Sequence, residues 1–483
     1  MKRMLLSLVL TAGLVPATGQ ARAWGSLEFT TCELGQPGSA VTVQAECARL
    51  EVPENPDRPD GRKISLKVAM LAARAAEPAA DPVIFLAGGP GQAATETFPA
   101  MAASLSRLRD RRHLLFMDQR GTGGSHPLAC PFPDELAGDL PPERLVALAR
   151  DCLAELDADV AQYTTSVAVR DIESLRQALG APALNVYGGS YGTRVAQQYA
   201  RQFPDAVRSL ILDGIVPPDL ALGAEHALNL DAALEPMLAA CARQPACAEA
   251  FGQPYRRLYT LRDRARATPE TVRIRDPLSH RPRELRLDGA TVAIVARLFA
   301  YAPETAALLP LLVDEALQGR PESLLAQAVM VMDSLTGQIN HGMQLSVTCA
   351  EDAPRLQRKG GDEQRLLGNA LVEVLLQQCS VWPRGPVAPG FAEPLRSDVP
   401  ALLLSGEFDP VTPPRYGERV AETLPRSRHL IGKGQGHILL ARGCTARLAA
   451  EFLDSLDPQG LDASCLDVLG ASPFFTSYNG AEP

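Results

Sequence analysis

The sequence predicts an α/β fold: a mostly parallel sheet with helices on both faces and an inserted helical cap. Three observations carry this. Short apolar runs alternate with segments of helical spacing, as buried parallel strands and their crossover helices do. Three of the apolar runs end in glycine-containing turns, Gly88-Gly89-Pro90-Gly91, Asp118-Gln119-Arg120-Gly121 and Gly188-Gly189-Ser190-Tyr191-Gly192. The alternation stops near residue 218, gives way to helical patterns as far as residue 399, and then resumes.

The elements follow in order. Residues 43 to 75 read as two extended segments around the turn Glu54 to Gly61, which is rich in Pro, Asp and Asn. Val83 to Ala87 and His113 to Met117 read as buried strands. Thr165 to Leu179 reads as a helix with Ala168, Ile172, Leu175 and Leu179 on one face. Leu184 starts another strand, which runs into a helix lined by Val195, Ala196, Tyr199, Ala200 and Phe203 and stopped at Pro204. Ser209 to Leu212 is the next strand. The cap is read as helices over 222–250, 254–266, 288–301, 304–317, 322–335 and 363–378, with one extended piece at 272–287. Ala401 to Leu404 and Arg428 to Ile431 return to strand, and Thr445 to Leu456 is a closing helix.

The first 23 residues read as a leader. Lys2 and Arg3 form a basic start, Met4 to Val15 is apolar but short for a membrane span, and Ala21-Arg22-Ala23 fits a cleavage site. The expected division is therefore a signal peptide at 1–23, a first part of the core at 24–217, a cap at 218–399 and a second part of the core at 400–483. This predicts an exported chain, periplasmic or secreted. The net charge is −9 and becomes more acidic once Lys2, Arg3 and Arg22 leave. With no basic arm or patch, nucleic acid and anionic membrane surfaces are excluded as expected partners. Oligomeric state is left open.

All ten cysteines follow the leader, and an even count in an exported chain points to disulfides. As sequential neighbours they group as Cys32 with Cys47, Cys130 with Cys152, Cys241 with Cys247, Cys349 with Cys379, and Cys444 with Cys465. The sequence does not fix that connectivity. There is no C-x-x-C and no H-E-x-x-H, so neither a metal nor another cofactor is expected.

The chemistry is read from Gly188-Gly189-Ser190-Tyr191-Gly192, a G-x-S-x-G motif between a strand and a helix. That context turns a weak motif into a nucleophile elbow: the strand delivers Ser190 into a sharp turn, and the Tyr191 amide faces a developing oxyanion. A serine hydroxyl needs a base, and the base an orienting acid. On this kind of elbow the order along the chain is serine, acid, histidine. Asp409 follows a strand in Gly406-Glu407-Phe408-Asp409-Pro410, and His437 follows the last strand in Gly434-Gln435-Gly436-His437. Asp213, which also ends a strand, is the rival acid; Glu407 should point to the opposite face. His113, His226, His280, His341 and His429 read as surface or packing residues, and His126 as a residue able to line a cleft. The glycine-rich loop after Val83 to Ala87 is expected to give a second oxyanion donor, with Gly89 favoured.

These residues resemble a known family, the serine aminopeptidases of the proline iminopeptidase and tripeptidyl aminopeptidase type, which have the α/β-hydrolase fold. The resemblance is carried by Ala87 to Gly91, Asp118-Gln119-Arg120-Gly121-Thr122-Gly123, the serine motif, Gly406 to Pro414 and Gly436-His437, and it is weakest in the cap. Cys444 to Cys465 is similar to the C-terminal region of the secreted tripeptidyl type. Ala87 stands where the family often has His, and Tyr191 where it often has Trp; neither change removes a backbone donor. The resemblance implies acidic cap residues that bind the free α-ammonium of a peptide. Glu351 and Asp352, in Ser346-Val347-Thr348-Cys349-Ala350-Glu351-Asp352, are the expected pair. The function expected is an exported serine hydrolase acting as an aminopeptidase on peptides with a free N-terminus. The alternatives are a carboxylesterase or lipase with the same triad, or an inactive binding protein.

Overall fold

The computed structural model describes residues 21–36, 41–130, 141–335 and 339–481, so the expected leader lies outside the described residues up to residue 20. Arg22 and Ala23, which that reading places before the cut, pair in a short strand.

Twelve strands are described: β1 (Arg22–Trp24), β2 (Leu27–Leu34), β3 (Val43–Pro53), β4 (Lys63–Leu71), β5 (Val83–Leu86), β6 (Leu114–Met117), β7 (Leu184–Gly189), β8 (Val207–Asp213), β9 (Glu270–Arg275), β10 (Pro282–Leu287), β11 (Ala401–Gly406) and β12 (Ser427–Gly432). Ten of them form one sheet in the order β1-β2-β3-β4-β6-β5-β7-β8-β11-β12. β1 to β4 form an antiparallel meander, joined antiparallel to β6. From β6 to β12 every pairing in the sheet is parallel. β9 and β10 are a separate hairpin within the insertion. The expected strands and helices of the core are found within a few residues of their bounds. β2 and the helix Pro142–Glu155 had no counterpart in the sequence reading.

β5, β6, β7 and β11 are buried at every position, which is why each reads as a continuous run and not as an alternation. Their side chains still divide by parity. Ile84, Leu86, Leu115, Met117 and Val186 join the core on one face, where the helices Thr165–Leu179 and Tyr191–Gln202 pack. Phe85, Phe116 and Tyr187 join Phe98 on the other, with ring centroids 4.9 to 5.9 Å apart.

The strand order places the site. β5 and β7 are neighbours, and the chain leaves β5 towards β6 on one side and β7 towards β8 on the other, so their carboxyl ends open on a shared crevice. The loop after β5 and the elbow after β7 are therefore neighbours.

Between β8 and β11 the chain is mainly helical, with a hydrophobic cluster of its own built on Leu230, Leu234, Phe299 and Leu325. The helix His341–Glu351 behaves differently. Its Met343, Leu345, Val347 and Cys349 belong to the main core cluster, together with Cys379, Trp382 and Leu395. The insertion thus begins as a separate layer and ends woven into the core.

The five disulfides join the cysteines as sequential neighbours, and none of the ten is free. Cys349–Cys379 spans 30 residues and Cys241–Cys247 only 6. In the chain-entropy model the longer loop constrains the unfolded chain more, by ~1.4 kcal/mol. Replacing the 349–379 pair by serine should therefore lower stability more than replacing the 241–247 pair, as read by denaturant midpoints. The reverse order would show that native-state packing outweighs loop closure.

Candidate active site

The elbow is tight because two glycines allow it. Ser190 sits at φ 54°, ψ −123°, between β7 and the helix Tyr191–Gln202. A Cβ on Gly188 would lie 2.4 Å from the Gly192 carbonyl oxygen, and one on Gly192 would lie 2.2 Å from that of Leu86. Neither contact is tolerable, so the approach of β5, β7 and the elbow helix requires glycine at both positions. The Ser190 amide donates to the Asp213 carbonyl at 2.8 Å, tying the elbow to the end of β8. Tyr191, the first residue of the helix, has an amide outside the intrahelical ladder, as an oxyanion donor needs.

The loop after β5 faces this turn. A Cβ on Gly88 would be 3.0 Å from the Ser190 Cβ. Gly89 and Gly91 have φ of 101° and 104°, in the region that favours glycine. The loop is clamped from the insertion: the Gly91 carbonyl accepts from the Asn340 amide at 2.9 Å and from its Nδ2 at 3.0 Å. Asn340 escaped the sequence reading, since nothing local marks a residue that bonds 249 positions away.

His437 and Asp409, the expected base and acid, lie side by side. His437 Nδ1 is 2.7 Å from Asp409 Oδ2. Asp409 also accepts from the amides of Val411 and Thr412 and from Thr412 Oγ1, each at 2.8 Å. Burial alone would raise its carboxyl, but His437 and these donors outweigh it, and the group stays below the usual carboxylate range. Thr412 Oγ1 also lies 3.2 Å from His437 Nδ1. Sequence reasoning passed over Thr412, although an Asp three residues before a Thr is a signal for such a turn. His437 is brought to the elbow through Gly214, where a Cβ would lie 2.9 Å from its Cε1.

Asp213, the rival acid, has another task. Its carboxylate accepts from the amides of Leu439 and Leu440, both at 2.8 Å, and from the Tyr187 hydroxyl at 3.0 Å. It holds the backbone that follows His437 while Asp409 takes the ring. Burial pushes it up to about 6 against those donors. Glu407 accepts from the Gly434 amide at 2.7 Å, likewise away from the His437 ring.

The acidic pair lies in a different setting from the one expected. Glu351 ends the helix His341–Glu351 and Asp352 caps it. Both are buried, at 3 % and 0 % exposure. Asp352 accepts from Arg194 Nη1 through both oxygens, at 3.0 and 3.1 Å. Glu351 accepts from the Thr165 amide at 2.6 Å and from its hydroxyl at 2.9 Å, with Arg194 at 3.7 Å. As folded, the pair offers no exposed carboxylate to a substrate ammonium; it fastens the insertion to the elbow helix, which carries Arg194. Two acids face one guanidinium, and burial pushes Glu351 up to about 8 despite Arg194. The pair still adjoins the site, because Thr165 Oγ1 lies 2.6 Å from the Tyr191 hydroxyl.

The other histidines divide. His126 lies by Arg62 and the Asp157 carbonyl, in a surface cluster and not at the triad. His226, read as a surface or packing residue, is close enough to Asp409 and His437 to feel their charges; burial first, then the charges of Arg297 and His437, hold it well below the usual histidine range against Asp409, which raises it. The Asp118-Gln119-Arg120-Gly121 loop is a strut. Arg120, fully buried, pairs with both oxygens of Asp171 at 2.7 Å, and Asp118 accepts from Thr95 and Gly124.

Two outcomes follow. Asp409→Asn should lower kcat by on the order of 10⁴ with the fold intact, through the wrong imidazole tautomer. Asp213→Asn should act mainly on stability, costing about 1–3 kcal/mol, the scale of unsatisfied buried donors. Ester turnover and thermal unfolding of both variants separate the roles, and a crippled but stable Asp213→Asn would reverse them. The second concerns Glu351. Its folded value lies above its ordinary 4.5, so the stability tied to its proton is full below about pH 4.5 and is lost as pH rises towards about 8. Glu351→Gln should lose less stability than the parent between pH 5 and 8, as read by denaturant midpoints across that range. Parallel curves would show that Glu351 does not hold a proton there.

Comparison with known proteins agrees with this geometry. A family model described as alpha/beta hydrolase fold matches residues 81–291, and one described as TAP-like protein matches residues 364–465. The chain is 28 % identical over 458 residues to the serine protease Hip1 of Mycobacterium tuberculosis, covering 86 % of each chain. It is 30 % identical over 194 residues to the tripeptidyl aminopeptidase of Streptomyces coelicolor, covering 36 % of this chain and 35 % of that one. With the proline iminopeptidase of Neisseria gonorrhoeae it shares 34 % identity over 134 residues, 28 % of this chain and 32 % of the relative. By sheet order, by elbow and by these matches, the chain has the α/β-hydrolase fold and is a serine hydrolase similar to the proline iminopeptidases and tripeptidyl aminopeptidases.

Proposed function

We propose that the chain is an exported serine aminopeptidase. Ser190 Oγ attacks the scissile carbonyl, and His437 takes its proton. The oxyanion accepts from the backbone N–H groups of Tyr191 and Gly89. His437 then gives the proton to the leaving amine, and water releases the acyl group by the same steps in reverse. Asp409 fixes the imidazole tautomer and stabilises the imidazolium. The low carboxyl of Asp409 suits that role, since it must stay ionised beside a charged ring.

The observation that carries the exopeptidase reading is the enclosure of the triad by the insertion. Asn340 bonds the loop after β5, and the Tyr301 carbonyl accepts the His437 amide at 2.8 Å. Cap residues therefore stand on both flanks of the nucleophile, which favours substrates entering by an end. The relatives named as a tripeptidyl aminopeptidase and a proline iminopeptidase support the same reading. The buried setting of Glu351 and Asp352 leaves ammonium recognition to other groups, or to a rearrangement that frees Glu351. Export is supported by the leader pattern and by the paired cysteines. Among the described residues no helix is long and apolar enough to cross a membrane.

Ser190→Ala should lower turnover by about 10⁴ or more without unfolding the chain. With the parent enzyme, acetylating the N-terminus of a short peptide should abolish most cleavage. Liquid chromatography of the two digests decides it. Equal cleavage of free and acetylated peptides would leave an endopeptidase, and cleavage of esters alone would leave the carboxylesterase.

A further inference from the structure

One cation on the Tyr301 side of His437 has no counter-charge among the described residues. Arg297 stands in the last turn of the helix Gly289–Phe299. Its guanidinium carbon lies 5.8 Å from the centre of the Tyr301 ring. That ring meets His437 edge-on, with centroids 5.3 Å apart, and the Tyr301 carbonyl holds the His437 amide. Arg297 is half-buried, and its Nε is closed to solvent with no acceptor. No carboxylate among the described residues forms an ion pair with it. Other buried arginines of the molecule are matched, Arg120 to Asp171 and Arg194 to Asp352. The imidazole of His226, at the start of the helix His226–Arg243, also lies within reach of the Arg297 charge and brings no negative charge to it.

This placement is costly in two ways. A half-desolvated guanidinium without an anion loses hydration that nothing replaces. It also opposes the positive charge that must form on His437 during catalysis. An anion bound there during turnover would offset both. The histidine side is where the leaving group takes up its proton, so the anion belongs to the leaving part of the substrate. We propose that Arg297 is a specificity-determining residue that binds a carboxylate on the leaving fragment of the substrate. The carboxylate is either the free C-terminus of a short peptide or an Asp or Glu side chain just after the scissile bond. Planar, two-pronged recognition of a carboxylate is the chemistry that arginine performs best. The inference rests on Ser190 and His437 being the reacting pair.

The test compares leaving groups that differ only in charge. Ala-Ala-Ala-Ala as free acid, its C-terminal amide, and Ala-Ala-Ala-Glu-amide form the peptide arm. The ester arm is 4-acetoxybenzoate against its neutral methyl ester, which reports on the same subsite if the enzyme is an esterase. The parent should favour the carboxylate substrate over its neutral partner, and Arg297→Gln should lower kcat/KM on the carboxylate substrate ~10-fold or more beyond any fall on the neutral one. Arg297→Lys should recover part of the difference. Preference for the free acid alone assigns the C-terminus, and preference for the Glu amide assigns a side chain. A parent that does not distinguish charge in either arm, or a variant that loses both substrates equally, would overturn the proposal. Failure of every peptide with discrimination kept among the esters would instead overturn the peptidase reading.

Discussion

The site depends on how closely two strands and a helix converge under one serine. Ser190 holds a backbone conformation that costs on the order of 1–3 kcal/mol and persists only where its surroundings over-determine it. Here they do. Gly188 and Gly192 remove the side chains that would collide, the Ser190 amide is fixed to Asp213, and β7 pairs with β5 and β8 up to the elbow. Every other part is placed relative to that turn. The loop after β5 reaches it because β5 and β7 are adjacent, and His437 reaches it because Gly214 leaves the imidazole room.

Two buried carboxylates show how one fold assigns opposite tasks to similar groups. Asp213 ends β8 and Asp409 follows β11, both near His437 and both withdrawn from water. Asp409 faces the ring and three donors and is held ionised. Asp213 faces backbone amides and a tyrosine and is pushed up instead. The direction of each shift follows from its partners, not from depth, since both are equally buried.

Much of this was legible in the sequence, for physical reasons. Fully buried strands have to be apolar throughout, so β5, β6, β7 and β11 declared themselves, and the elbow glycines sit beside the serine they serve. The motifs that set Asp409 and His437 are likewise local. Thr412, Asn340, Tyr301 and Arg297 were not legible, because their roles arise from contacts across a hundred residues or more, or from a turn read only for its acid. Glu351 and Asp352 were read as a pair open to a substrate ammonium, and the structure buries both against Arg194 and Thr165. A sequence shows two acids together, but not that a buried arginine from the elbow helix pairs with them. β2 escaped because its polar residues outnumber its three buried positions.

The insertion touches the catalytic loops at two points with backbone hydrogen bonds, Asn340 on Gly91 and Tyr301 on His437. It also shares the helix His341–Glu351 with the main core. It is therefore less a lid than a second half of the scaffold. An engineer who exchanged the cap of this protein for that of a relative, hoping to import a new specificity, would remove the bracing of both the loop after β5 and His437 in the same stroke. The portable unit is larger than the cap, because it takes in the loops after β5 and β12 that the cap holds.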